Sequence, residues 1–210
     1  MKNTSIDINQ RIPLEILHTA LLCSLNDTYN NEYILEQISS EYSGENRQKK
    51  ALRIINKVIK NSPLSLLIEE NKSLLISVLR NKNDRNLILI SLLNSAFPFS
   101  FFVLNTFGKY FKAQDVINSD TIKKAVSKVY GGNRATENGI YSVVPMFLEA
   151  GLFTRPKVGI YEISEPLRYS PLAVRFFKES LKGNLINESL LTPQPDNPYF
   201  TFLPSSLILD

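Results

Sequence analysis

The sequence predicts a mainly α-helical fold that ends in a small β-hairpin, and three observations carry the prediction. Apolar residues recur at helical spacing through most of the first 150 positions. Leu, Ile, Asn, Ser and Lys dominate the 210 residues, with only 8 glycines and no tryptophan, a composition poor in the punctuation of a large sheet. After Pro98 the pattern runs helix, helix, helix, and then two short segments of period two about a tight turn.

The elements follow in order. Pro13 suits a first helical position, and Leu14, Leu17, Leu21 and Leu22 recur from there to about Leu25. Asn26-Asp27-Thr28 breaks that helix, and a shorter one runs from about Asn31 to Tyr42 with Ile34, Leu35 and Ile38 on one side. Glu45 to Lys60 is amphipathic: Leu52, Ile55, Val58 and Ile59 share one face, and Lys49, Lys50, Arg53, Lys57 and Lys60 the other. Such a face reads first as a solvated surface, with a phosphate-facing stripe as the alternative. Ser62-Pro63 ends this helix, and Leu64 to Glu70, Ser73 to Arg80 and Asp84 to Ser95 follow as helical pieces between polar connectors. Residues 1–95 are expected to form an N-terminal helical module.

Leu87 to Gly108 contains no charged residue and is long enough to cross a bilayer. Ser91, Asn94, Ser95, Pro98, Ser100 and Asn105 interrupt it, however, and Ala96-Phe97-Pro98 reads as the join between two buried helices, so no membrane span is expected.

Phe99 to Lys112 supplies Phe102, Val103, Phe107 and Tyr110 to the next helix. After a short connector, Ser119-Asp120 caps another that runs to about Tyr130 with Ile122, Val126 and Val129 inward. A third begins near Arg134 or Thr136 and reaches Ala150, with Ile140, Val143, Val144 and Phe147 as its apolar stripe and Gly151 placed to end it. Residues 152–155 and 160–163 then alternate around Pro156-Lys157-Val158-Gly159 as a hairpin. This order over residues 96–166 is that of a winged helix-turn-helix, the hairpin being the wing. Beyond it, Pro171 to Leu181 forms a helix, and residues 191–210 form a Pro- and aromatic-rich tail that should cross a groove of its own domain, with a partner subunit as the alternative; residues 167–210 make up this C-terminal part.

The net charge of +4 decides little, but its distribution is uneven. Residues 44–60 carry six basic side chains against Glu45 alone, and residues 109–157 carry eight against four acidic ones. A helix laid in the major groove needs polar side chains at its open end and cations on flanking elements for phosphates. Asn133, Arg134, Thr136, Asn138 and Ser142 are the candidates for base edges. Arg155 and Lys157 in the hairpin, Lys123, Lys124 and Lys128 on the preceding helix, and the Lys49–Lys60 stripe are the candidates for the backbone. Glu137, Glu149 and the bend expected at Pro145 weigh against this use of the helix. Double-stranded DNA is the expected partner; a protein-docking adaptor within a complex and a dimeric transcription regulator are the alternatives.

A basic helical front around Arg47–Lys60, a Leu- and Phe-rich middle at Leu87–Phe111 and the stretch Asn133–Leu152, with Leu148-Glu149-Ala150-Gly151-Leu152 as the nearest local match, resemble the BrxA-like family, the small A component of BREX phage-defence systems. The resemblance spans residues 12–165. It implies a non-enzymatic, DNA-binding helical protein that works beside a methyltransferase. The chain departs from that family in its short connector between Phe111 and Asp120 and in lacking tryptophan.

Catalytic signatures are missing from the sequence. His18 has no second His or Cys positioned to share a metal, and Cys23 is single, which excludes a disulfide framework. Gly131-Gly132-Asn133 lacks the lysine and spacing of a phosphate loop, and Glu69-Glu70 point different ways on a helix. No enzyme activity, cofactor or metal is therefore expected. The polar start Met1 to Gln10 lacks a signal-peptide core, and with the lone cysteine it makes the cytoplasm the expected location.

Overall fold

The computed structural model describes residues 5–185 and 196–207. Ten α-helices and a small antiparallel sheet make up the described residues: α1 (Leu14–Leu25), α2 (Asn31–Ser39), α3 (Glu45–Val58), α4 (Ser65–Glu70), α5 (Lys72–Val78), α6 (Lys82–Ala96), α7 (Pro98–Phe111), β1 (Val116–Asn118), α8 (Ser119–Tyr130), α9 (Arg134–Glu149), β2 (Phe153–Lys157), β3 (Ile160–Ile163) and α10 (Pro171–Lys182). Two 3-10 turns, Pro198–Phe202 and Ser205–Leu207, follow.

The abundance of asparagine has a local cause. Asn30, Asn81, Asn118 and Asn133 stand at the N-caps of α2, α6, α8 and α9, each accepting a hydrogen bond from a first-turn backbone N–H, and Asn197 does the same for the turn at Pro198. A short side-chain amide held in extended backbone satisfies donors that the helix itself cannot.

Helix α6 organises the interior. Leu87 to Asn94 are buried without a break, so no face of that stretch meets water, and α6 packs against α1, α3, α7 and α10. Two polar members of this apolar run bond their own helix: Ser91 Oγ donates to the Leu87 carbonyl (2.7 Å) and Thr106 Oγ1 to the Phe102 carbonyl (2.8 Å). Pro98 cannot continue α6 but suits the first position of α7, so the uncharged stretch folds as two helices. Among the described residues no helix is long and apolar enough to cross a membrane.

The sheet has strand order β1-β3-β2, with Ile117 opposite Tyr161 and Phe153 opposite Ile163. Strand β1 lies in what the sequence presents as a plain connector. Its three residues offer no readable alternation, and only pairing with β3, more than forty positions later, makes them a strand. Register between β2 and β3 slips between Thr154 and Lys157, where Pro156 has no N–H to give to the ladder.

The segment 196–207 lies against α7 and α10, as expected of the tail; residues 191–195 and 208–210 lie outside the described residues. Tyr199, Phe200, Phe202 and Leu203 are buried there. At the other end, Ile8 and Ile12 bury an N-terminal strap, residues 5–13, and Ile6 packs where α9 passes α7 at Gly139. A Cβ on Gly139 would sit 2.6 Å from the Phe99 ring and 2.9 Å from Ile6, so the missing side chain is what lets α9 approach. Val129, expected inward, is 45% exposed; only Ile122 and Val126 of α8 reach the core.

Candidate nucleic-acid interface

Helices α8 and α9 and the β2–β3 hairpin converge on one cleft of about 190 Å³. Its floor includes Phe107 and Ile122 from the core, and Lys123, Tyr141, Pro145, Leu148, Arg155 and Val158 stand around it. On α9 Arg134, Asn138, Tyr141, Pro145 and Leu148 fall in one outward stripe, spaced four, three, four and three residues apart, and Ala135 and Glu137 are exposed beside its start. The stripe is polar at its start and apolar from Tyr141 onward.

Several residues assigned to base edges on sequence grounds are placed otherwise. Thr136 and Ser142 are buried. Thr136 Oγ1 donates to the Gly131 carbonyl (2.6 Å), closing the turn before α9, and Ser142 Oγ donates to the Asn138 carbonyl (2.7 Å). A small hydroxyl can enter the inner face of a helix at little cost when a nearby carbonyl accepts its proton, so polarity alone did not keep these two outside. The Asn133 side-chain oxygen caps α9 through the Thr136 N–H (3.1 Å). Arg134 and Asn138 remain exposed, as do Lys124, Lys128, Arg155 and Lys157.

The charges around the cleft differ in how they are held. Lys123 stands over the Tyr141 ring at 5.4 Å and pairs with Asp120 at 3.7 Å. The Tyr141 hydroxyl, followed by Asp120 and Glu137, pushes its ammonium above the usual lysine range. The Arg155 guanidinium lies 6.0 Å from the Tyr161 ring centre. Among the described residues no carboxylate lies within ion-pair distance of Lys124, Lys128, Arg134, Arg155 or Lys157.

Glu149 does not face this surface. Its carboxylate accepts from the Leu14 backbone N–H (2.8 Å) and from Arg11 Nη2 (2.8 Å), fastening the end of α9 to the start of α1. An anion there also complements the positive end of α1. Glu149→Ala is therefore expected to cost about 1–2 kcal/mol of stability and to leave affinity for nucleic acid unchanged. Urea unfolding checks the first part, and an unmoved midpoint would refute the fastening role. Helix α9 runs through Pro145 without interruption, although Pro145 has no N–H to offer the Tyr141 carbonyl.

The α3 stripe is less free than its sequence suggests. Lys57 forms an ion pair with Asp7 and lies 4.3 Å from the centre of the Phe97 ring, pinning the N-terminal strap. Lys49 pairs with Glu45 at 2.5 Å, one helical turn away. Lys50 is half-buried, and Arg53 and Lys60 remain exposed. Of these, Arg53 and Lys57 line a separate hollow with Asp7, Ile54 and Phe97, apart from the α8–α9–hairpin cleft.

Tyr141, Val158, Pro145 and Leu148 were not assigned to a contact surface from the sequence. A search for polar groups passes over them, whereas the stripe continued from Arg134 finds three of the four. His18 lies half-buried beside Glu15 and Arg85, and burial, then Arg85, hold its pKa below the usual value. No group of three or more potential metal ligands occurs among the described residues. Comparison with protein-family models, with curated proteins and with solved structures finds no match.

Proposed function

We propose that the chain is a non-enzymatic, DNA-binding accessory protein whose residues 96–166 act as a winged helix-turn-helix. In this reading the open N-terminal half of α9 meets base edges through Arg134 and Asn138, and the hairpin and α8 meet phosphates. The supporting observation is the chain order α7-β1-α8-α9-β2-β3, with β3 central in the sheet, which sets a helix with an exposed polar start beside a hairpin carrying Arg155 and Lys157. The BrxA-like layout suggests the setting, an accessory role in a phage-defence system of the BREX type.

With Lys123, Lys124, Lys128, Arg155 and Lys157 on phosphates, the logarithm of duplex affinity should fall with the logarithm of salt at a slope on the order of −5. The double reversal Arg155→Glu with Lys157→Glu is expected to weaken binding about tenfold and to flatten that slope. Anisotropy titrations of labelled duplex at two salt concentrations measure both. Undetectable binding at low salt would sink the reading; salt-insensitive capture of a partner without nucleic acid would favour an adaptor, and dimeric selection of one short operator a transcription regulator.

A further inference from the structure

The outer stripe of α9 changes character halfway along, and the change matches two different parts of a nucleic acid. Paired bases offer only their edges, which are donors and acceptors suited to Arg134 and Asn138. The faces of bases are hidden by stacking in a duplex and become available only where nucleotides are unpaired, and aromatic or apolar surfaces recognise them there. Tyr141 is 58% exposed and Val158 at the hairpin tip 87% exposed, and both border the cleft, with Pro145 and Leu148 continuing its apolar wall.

The cleft's size and charge narrow the occupant. At about 190 Å³ it falls below the roughly 300 Å³ where pockets for whole drug-sized molecules begin, so one planar group fits. Lys123 and Arg155 both border it, Arg155 with no carboxylate partner among the described residues, so the occupant should carry negative charge beside its planar part. A nucleotide has both.

The geometry points to a site for one unpaired nucleotide: the base enters the cleft against Tyr141, and its phosphate meets Lys123 and Arg155. The preferred target is then a duplex with a single-stranded extension, in which the start of α9 meets the paired part and the Tyr141–Leu148 half meets the first unpaired base. This inference rests on the reading of α8, α9 and the hairpin as a DNA surface.

The test compares a blunt duplex with the same duplex bearing a short deoxyadenosine overhang at either strand end, by anisotropy. The wild-type chain should bind the overhang form about tenfold more tightly. Tyr141→Ala should bring the ratio of the two affinities close to one, and Val158→Ser, at an exposed position, should reduce it in the same direction. Equal affinity for both duplexes, or an advantage that survives in Tyr141→Ala, overturns the nucleotide site and leaves the DNA-binding reading standing; the cleft would then suit an aromatic side chain of a protein partner. Absence of binding to either duplex overturns both. Unchanged thermal unfolding of the two variants separates a lost contact from a lost fold.

Discussion

Gly108→Ala should lower the stability of the chain by about 3 kcal/mol, the upper end of the usual cost of overpacking. A Cβ at this position would stand 1.9 Å from the Pro198 carbonyl oxygen and 2.8 Å from its carbon, with the Phe202 ring at 3.4 Å. No side-chain rotation relieves such a contact, because the obstructing atoms are backbone; helix α7 and the tail have to separate. That separation would pull Phe202 away from Phe111 and Phe153 and expose apolar surface. For a chain of this size the expected fall in Tm is about 10 °C, read by calorimetry, together with faster proteolytic cleavage of the tail. Gly183→Ala is the control, since the nearest atom to its added Cβ, outside its own neighbourhood, is 3.9 Å away and its φ of −62° suits alanine. A Gly108→Ala variant as stable as the Gly183→Ala one would mean that the tail does not bind α7 as described.

Removal of the Tyr199 side chain should cost more, about 4 kcal/mol for Tyr199→Ala. The ring is fully buried and stacked on Phe177, with centroids 4.2 Å apart and planes 6° from parallel. Its hydroxyl accepts from Asn94 Nδ2 (2.8 Å) and shares a hydrogen bond with Ser180 Oγ (2.8 Å), joining the tail to α6 and α10 at once. Ser100 Oγ in turn donates to Asn94 Oδ1 (2.6 Å), so loss of the phenol disturbs a connected buried set. Tyr199→Phe keeps the packing and leaves those partners short of one bond each, for about 1–2 kcal/mol.

The same residue gives the fold an alkaline limit. Burial pushes the Tyr199 phenol well above its ordinary value of 10.0, and Tyr29 and Tyr169 are pushed up to about 12 by the same cause. The folded state keeps these phenols protonated, whereas the unfolded chain releases protons above pH 10, so their stabilising contribution is complete below that pH and declines as pH rises past it. Urea midpoints taken on both sides of pH 10 should fall for the wild type and fall less steeply for Tyr199→Phe. Equal slopes would show that Tyr199 ionises in place without unfolding the tail.

Much of the helical framework was legible because its signals are local. Pro98 splits the uncharged stretch wherever the helices pack, and the alternation around Pro156–Gly159 marks a hairpin without knowledge of its neighbours. Helix boundaries near Leu25, Ala96, Tyr130 and Glu149 came within one or two residues of the expected ones. Residues whose role depends on distant partners were not legible. Lys57 reads as one more cation on a solvated face until Asp7 and Phe97 are set beside it. Glu149 reads as a charge opposing DNA until Leu14, 135 positions earlier, donates to it.

The sequence alone determined where the helices lie, where several of them stop and that a basic hairpin follows α9, since these depend on dihedral preferences and periodicities complete within a turn or two. Only the tertiary structure decided that Val116–Asn118 is a strand, that Thr136 and Ser142 face inward, and that Tyr141 and Val158 border a cleft with Lys123 and Arg155. The physical reason is that burial and pairing are set by atoms far along the chain. A hydroxyl satisfied by a nearby carbonyl can lie on either side of a helix, and long-range packing chooses which.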